Sequence, residues 1–204
     1  MKQSTFEYLL DNNPLRAYVK EHMEVKLLRS AAPVGRIHRA LEIGCGNGVG
    51  TGLIMKHFSP EKLYAVDRND ELIATALRVR PHDSVTFSVQ DVCALGFDDG
   101  FFDAVFDLAD LHNIENWKEG LSELSRVLAP GGYLFLEEIS IDTFTHGAGK
   151  VFRRLTDHPY ETMMSMDGFL SQLRLSGFEI LRHEERNPFG LLKYFIVIAK
   201  KSAR

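Results

Sequence analysis

A chain of 204 residues, 45% of them hydrophobic and 25% charged, has the size of one ordinary α/β domain and leaves no room for a second full one. No stretch approaches the uncharged apolar length of a membrane span, and 24 basic against 28 acidic side chains leave no basic stripe for a nucleic-acid duplex. Two cysteines, Cys45 and Cys93, are too few for a disulfide framework and point to a reducing cytoplasm.

From the N-terminus, "MKQSTFEYLLDNNPLRAY" carries acids and amides where a signal peptide would have an apolar core. Residues 1–35 read as a helical cap in which Leu15, Tyr18, Val19, His22 and Val25 share a face. The core expected over 36–139 alternates short apolar runs with amphipathic helices, the pattern of βαβ units. Strands are predicted at Arg39–Ile43, Lys62–Val66, Val85–Val89, Phe102–Phe106 and Tyr133–Glu137. Leu72, Ile73, Ala76 and Leu77 define one intervening helix, and Trp117, Leu121, Leu124 and Leu128 another. "LAPGG", Leu128 to Gly132, reads as the turn that ends the second helix. Residues 140–166 lack a period and form a substrate-side insertion, expected with the N-terminal cap at the C-terminal edge of the sheet. Residues 167–204 read as a helix followed by two strands whose short connection makes them antiparallel.

Chemistry concentrates after the first strand. "EIGCGNGVGTG" sets five glycines into the nine positions from Gly44 to Gly52, so backbone amides at a helix start can approach a ligand. The dinucleotide fingerprint G-x-G-x-x-G fails, because Val49 stands where the third glycine would be, and no Gly-Lys-Ser/Thr follows for a phosphate loop. Instead the second strand ends in Asp67 and the third is followed by Asp91. An acid at the second position can accept from ribose hydroxyls, and one at the third from an adenine amine. Together with Glu42 they suit an adenosine ligand with a positive group and no phosphate.

With these residues in hand, the chain resembles the class I S-adenosylmethionine-dependent methyltransferases, in particular the small-molecule group called methyltransferase type 11. "LEIGCGNGVGT", "YAVDRNDELIATAL", "VQDVCALGFDDGFFDAVF", "LADLHNI" and "LSELSRVLAPGGYLFLEE" fall in the family's order and spacing. The resemblance implies a Rossmann-like doubly wound α/β fold, with a seven-stranded mostly parallel sheet, an antiparallel last strand and helices on both faces. It implies S-adenosyl-L-methionine as cofactor, with S-adenosyl-L-homocysteine as product, and a small-molecule methyl acceptor. Glu42, Gly44, Gly46 and Asn47 would surround the methionine end, with Cys45 and Gly48 completing the loop. Asp67 and Arg68 would hold the ribose and one adenine edge, Asp91 and Val92 the adenine, and Asp107, just past the fourth strand, would line the pocket near the sulfonium. Asn113 stands where the family often has a second histidine, and Asp110 is more acidic than its usual counterpart.

Methyl transfer from a sulfonium needs positioning, and needs a base only if the nucleophile is protonated. His112, His146, His158 and Tyr160 are the candidates; each has a plainer reading, His112 as a cap or packing residue, the two other histidines as solvated loop residues, and Tyr160 as an apolar anchor. No metal-ligand spacing such as C-x-x-C or H-E-x-x-H occurs, so no metal is expected. The Asn-Pro-Pro-Tyr segment of amino-group methylators is absent, and with a negative net charge this disfavours protein and nucleic-acid acceptors. A monomer and a homodimer are both open, as is a donor-binding module without catalysis.

Overall fold

β-branched and aromatic runs become strands here because each can bury both faces between helices. The computed structural model describes Val25, Leu28, Arg29 and residues 35–79, 82–145, 149–154, 159–187 and 193–203. In chain order it runs β1 (Arg39–Ile43), α1 (Val49–Phe58), β2 (Lys62–Asp67), α2 (Asp70–Val79), β3 (Val85–Val89), β4 (Phe102–Leu108), α3 (Trp117–Val127), β5 (Leu128–Ile139), α4 (Met166–Leu175), β6 (Phe178–Arg186) and β7 (Tyr194–Lys201). Single helical turns occupy Leu111–Asn113, Ile141–Phe144 and Gly149–Phe152.

The seven strands lie in the order β3-β2-β1-β4-β5-β7-β6. Every pair is parallel except those of β7, which runs antiparallel to both β5 and β6. Strand order therefore reverses between β1 and β4, and the loops leaving their C-terminal ends open a crevice there. Alternation along each strand sorts side chains between two cores. Leu41 and Ile43 of β1, Val105 of β4, and Leu134 and Leu136 of β5 pack with Leu121 and Leu124 of α3 and Phe169 and Leu173 of α4. Ala40, Ala104, Phe106 and Phe135 face Leu53, Ile54 and Phe58 of α1 on the other side, joined by Val25 and Leu28. α2 closes the same side farther out, with Ile73 beside Ala65 and Cys45.

Three boundaries differ from the sequence reading. β4 extends to Leu108, so Asp107 lies within the strand, paired with Ile43 of β1 and Leu136 of β5, and not past its end. β2 likewise takes in Asp67. β5 begins at Leu128: Phe102 pairs with Leu128, and the next pair is Ala104 with Tyr133, so "APGG" is an irregular excursion inside the ladder. Gly131 turns it with a φ of 79°.

Most of the N-terminal cap lies outside the described residues. Arg29 donates from Nε to the His57 carbonyl (3.1 Å) near the C-terminal end of α1, the end of that helix remote from the glycine loop. Described parts of the 140–166 segment dock back on the core. Ile141 N–H donates to the Met164 carbonyl (3.0 Å), and the Trp117 indole donates to the Thr162 carbonyl (2.8 Å). The Thr143 hydroxyl ties this segment to Lys193 at the entry to β7. No helix among the described residues is long and apolar enough to cross a membrane.

Candidate functional site

The loop from β1 into α1 alternates its backbone handedness. Gly44, Gly46 and Gly48 have φ of 58°, 54° and 83°, a sequence of left-handed residues that L side chains resist. The turn is pinned at both ends: Cys45 N–H donates to the Val66 carbonyl of β2 (3.0 Å), and Gly48 N–H to the Cys45 carbonyl (2.9 Å). Asp67, at the C-terminal end of β2, organises two loops at once. Its Oδ2 accepts from Gly46 N–H (2.9 Å) and its Oδ1 from Asn69 N–H (2.8 Å). Asn69 in turn caps α2, its Oδ1 accepting from Glu71 N–H (3.0 Å) and Leu72 N–H (3.3 Å). Capping therefore falls to Asn69 and leaves the Asp67 carboxylate at the crevice.

A cleft of about 350 Å³ opens at the reversal point, in the range of small-molecule sites. Its walls are Ile43 and Gly44 at the end of β1, Val66, Asp67 and Arg68 at the end of β2, Gln90 to Cys93 after β3, Asp110, Ile114, Glu115 and Asn116 between β4 and α3, and Glu119 in the first turn of α3. Of the residues expected to hold the cofactor, Gly44, Asp67, Arg68, Asp91 and Val92 meet here. Asp91 is fixed as a turn, its Oδ1 accepting from Cys93 N–H (2.9 Å). Five acidic residues (Asp67, Asp91, Asp110, Glu115 and Glu119) and one arginine, Arg68, are among the residues that line it. The lining suits a ligand with cationic character and polar hydroxyls, and repels a pyrophosphate.

Other expected residues stand behind this surface. Glu42 is buried with its carboxylate turned to α1, where Oε2 accepts from the Thr51 hydroxyl (2.5 Å). Cys45 is buried beneath the loop among apolar neighbours, and burial beside Glu42 pushes its thiol far above the ordinary range, which disfavours the thiolate. Asn47 and Gly48 form the turn into α1 without lining the cleft. Asp107 is completely buried.

Asp107 belongs to a second cluster, under the turn that follows β4. On the face shared by α3 and α4, its Oδ1 accepts from Asp110 N–H (2.9 Å). Glu138 of β5 lies on the same face, fully buried; its Oε2 accepts from His112 N–H (3.2 Å) and lies 2.7 Å from the His112 ring Nδ1. Burial first, then the negative charge of Glu138, raises Asp107 well above the usual carboxyl range. Burial is also the main cause that raises Glu138 to about 7. His112 is thus a buried residue of the turn Leu111–Asn113 and does not line the cleft, although Asp110 and Ile114 on either side of it do.

Tyr160 is half-buried, packed edge-on against Phe144 (5.0 Å between rings) with the Arg153 guanidinium 4.9 Å from its ring centre. His146 and His158 lie outside the described residues. Among the described residues no group of three His, Cys, Asp or Glu side chains is arranged to hold a metal ion.

Several of the residues that sequence reasoning missed follow β4, in the loop and the first turn of α3. Glu115, Asn116 and Glu119 reach the cleft only because the chain turns back over the crevice after β4. Asp110 did leave a signal, an acid where the resembling family is apolar. Glu138 also left one, as half of an acidic pair, Glu137–Glu138, closing an apolar strand. Period-two alternation sends one of that pair to each face.

Comparison with known proteins agrees with this geometry. Residues 41–136 match the family described as "Methyltransferase domain". The fatty-acid O-methyltransferase of Mycolicibacterium smegmatis is 31% identical over 149 residues, 73% of this chain; the match spans 50% of that protein's length. An S-adenosylmethionine-dependent methyltransferase from Mesorhizobium loti superposes with a TM-score of 0.71 at 19% identity, over 86% of this chain and 96% of that one. The cyclase SpnF superposes with a TM-score of 0.73 at 19% identity, over 90% of this chain and 81% of that one. Residues 41–136 are a methyltransferase domain, in a chain with the fold of the class I S-adenosylmethionine-dependent methyltransferases, and family and fold imply S-adenosylmethionine as its cofactor.

Proposed function

We propose that this chain, built around a methyltransferase domain, transfers a methyl group from S-adenosylmethionine to a small organic acceptor in a reducing, cytoplasmic setting, where Cys45 and Cys93 stay free thiols. One observation carries the reading: the crevice between β1 and β4 is lined by five carboxylates and a bare glycine backbone. That lining fits an adenosine with a cationic tail. S-adenosylmethionine supplies, when bound, a methyl group activated on a sulfonium, so the leaving group needs no acid.

The chain's own residues divide the remaining work. Asp67 would accept from the ribose hydroxyls with the lone pairs that Gly46 and Asn69 leave, and Arg68 would cover one adenine edge. Asp91 and Val92 would hold the adenine. Asp110, whose side chain lies against Gly44, would face the cationic end. Glu42 supports this loop from below through Thr51. Catalysis then rests on orientation, worth up to ~7–11 kcal/mol in well-aligned systems. His112 is the candidate base for a protonated acceptor, with Tyr160 among the acceptor-side residues.

A second reading, a domain that binds the donor without transferring methyl, is favoured by the burial of His112 outside the cleft. The likeness to a cyclase is in keeping with it, since one fold serves several reactions. Titration calorimetry with S-adenosylmethionine, followed by a metabolite screen with labelled methyl donor, decides between them. Binding with a methylated product supports methyl transfer, and binding without product supports the second reading. No binding, or unchanged affinity in Asp67→Ala, overturns both.

A further inference from the structure

Beneath the post-β4 turn, where the Leu111 backbone also hydrogen-bonds the two carboxyls, two buried oxygens are left over. Asp107 Oδ2 and Glu138 Oε1 have no partner while both carboxyls are written as ionised. They come from adjacent parallel strands and the same face of the sheet, and the two side chains are within hydrogen-bonding reach of each other. Two bare carboxylates in contact inside a core are untenable, because each lacks solvation and each repels the other. One proton held between them satisfies both leftover oxygens. The opposite oxygens are already committed: Asp107 Oδ1 to the Asp110 amide, Glu138 Oε2 to the His112 amide and ring.

We propose that Asp107 and Glu138 act as one proton-sharing pair whose charged side fixes His112 with its proton on Nδ1, so that Nε2 is the ring's proton-accepting atom. Glu138 then has two functions, holding the turn by the His112 amide and setting the ring by Nδ1. The shared proton keeps the pair at a single negative charge, enough to bind one N–H strongly without burying two charges. Asp107 and Glu138 are positioning residues in this scheme, and what they set directly is the His112 ring. The groups that face them are Asp110 and His112 from the turn, Ile43 and Leu136 beside Asp107, and Phe195 of β7 opposite Glu138. The inference deepens the methyl-transfer reading and rests on it for what His112 would act on.

Two spectroscopic readouts on the full chain without donor test the pair. In protein carrying isotope-labelled histidine, ring correlation spectra identify which nitrogen is protonated, with His112 assigned by the signal lost in His112→Gln. The expected result is an Nδ1–H tautomer in the wild type and a mixed population in Glu138→Gln. Infrared difference spectra should reveal a protonated carboxyl that persists well above the pH at which exposed carboxyls ionise and that disappears in Asp107→Asn. An Nε2–H tautomer in the wild type, or no such carboxyl band, overturns the proposal even if neither variant folds. A tautomer unchanged in folded Glu138→Gln overturns it as well. Both measurements omit the donor, so failure to bind S-adenosylmethionine counts against the methyl-transfer reading alone, and the pair stands or falls on its own spectra.

Discussion

The carboxylate of Glu42 occupies the space that a side chain at position 50 would need. A Cβ added to Gly50 would collide with Glu42 Oε1, and it would also lie 3.1 Å from the Leu108 side chain. Gly50 is inside α1, where glycine costs about 0.5–1 kcal/mol relative to alanine, so the helix keeps it for the contact and not for its own stability. The glycine run therefore serves two surfaces: Gly44 lines the crevice, and Gly50 receives the carboxylate behind it.

Gly50→Ala should consequently destabilise the protein despite the gain in helix propensity. Moving a buried carboxylate off the Thr51 hydroxyl costs about 1.5–3 kcal/mol, and the propensity gain returns about 1 at most, for a net loss of roughly 1–2 kcal/mol. Denaturant melts of Gly50→Ala, Glu42→Ala and the double variant check this. The double variant should be less destabilised than the sum of the singles, because the collision is gone. Strict additivity would argue against the contact.

Asp67→Ala removes the acceptor for Gly46 N–H and the acid at the cleft in a single change. Loss of a charged hydrogen bond is worth about 1.5–3 kcal/mol, so affinity for S-adenosylmethionine should fall by roughly 10- to 100-fold in calorimetry. Asp67→Asn keeps one acceptor oxygen and should fall between the two. Asp91→Ala, with its carboxylate exposed, should lose less.

How much of this was legible in the sequence depends on how local each feature is. The glycine loop and the acids after β2 and β3 could be read because strand, turn and ligand contact follow one another within a few residues. The side to which Glu42 turns was also encoded, since it shares alternation with Ala40, which packs on α1, and not with Leu41 and Ile43. The Asp107–Glu138–His112 cluster was not legible. It joins residues about thirty positions apart through a strand pairing whose register shifts at "LAPGG", and no local pattern reports that shift. Glu115 and Glu119 escaped for a similar reason, because a loop's path over a crevice is set by tertiary packing.

The carboxyl pair sets the direction of a pH effect. Both groups have native pKa values above their unfolded ones, so the native state binds the extra proton. Their contribution is fully present below the unfolded carboxyl pKa, near 4, and is lost as pH rises through the native value of about 7 for Glu138. One proton corresponds to a slope of at most ~1.4 kcal/mol per pH unit across that window. Relative to Asp107→Asn, which removes the Asp107 titration and leaves that of Glu138, the wild type should lose stability as pH rises above the unfolded carboxyl value, near 4. Paired urea melts at several pH values measure the difference, and a difference that is flat with pH would contradict the assignment.

Arg126, on the last turn of α3, ties down from outside the cleft the segment that follows Asp91 and Val92. Its Nη1 donates to the Phe97 carbonyl (2.7 Å) and Asp99 (2.8 Å), its Nη2 to the Leu95 carbonyl (2.9 Å), and its Nε and Nη2 to Glu123 (2.8 and 2.9 Å). Glu123 completes the tie by accepting from Leu95 N–H (3.0 Å). The segment so held follows directly from Asp91 and Val92, which line the cleft. The carbonyl bonds fix backbone, whereas Asp99 is 82% exposed and its ion pair is screened by solvent. Arg126→Ala should therefore cost about 1–3 kcal/mol in stability and also weaken donor binding, while Asp99→Ala should change stability by less than about 0.5 kcal/mol. Arg126→Lys cannot span four carbonyl and carboxylate partners with one ammonium, so it should recover little of either loss. Hydrogen exchange at residues 92–99 is the most direct measurement: it should accelerate in Arg126→Ala and stay unchanged in Asp99→Ala, and equal acceleration in both would mean the surface ion pair holds the loop instead.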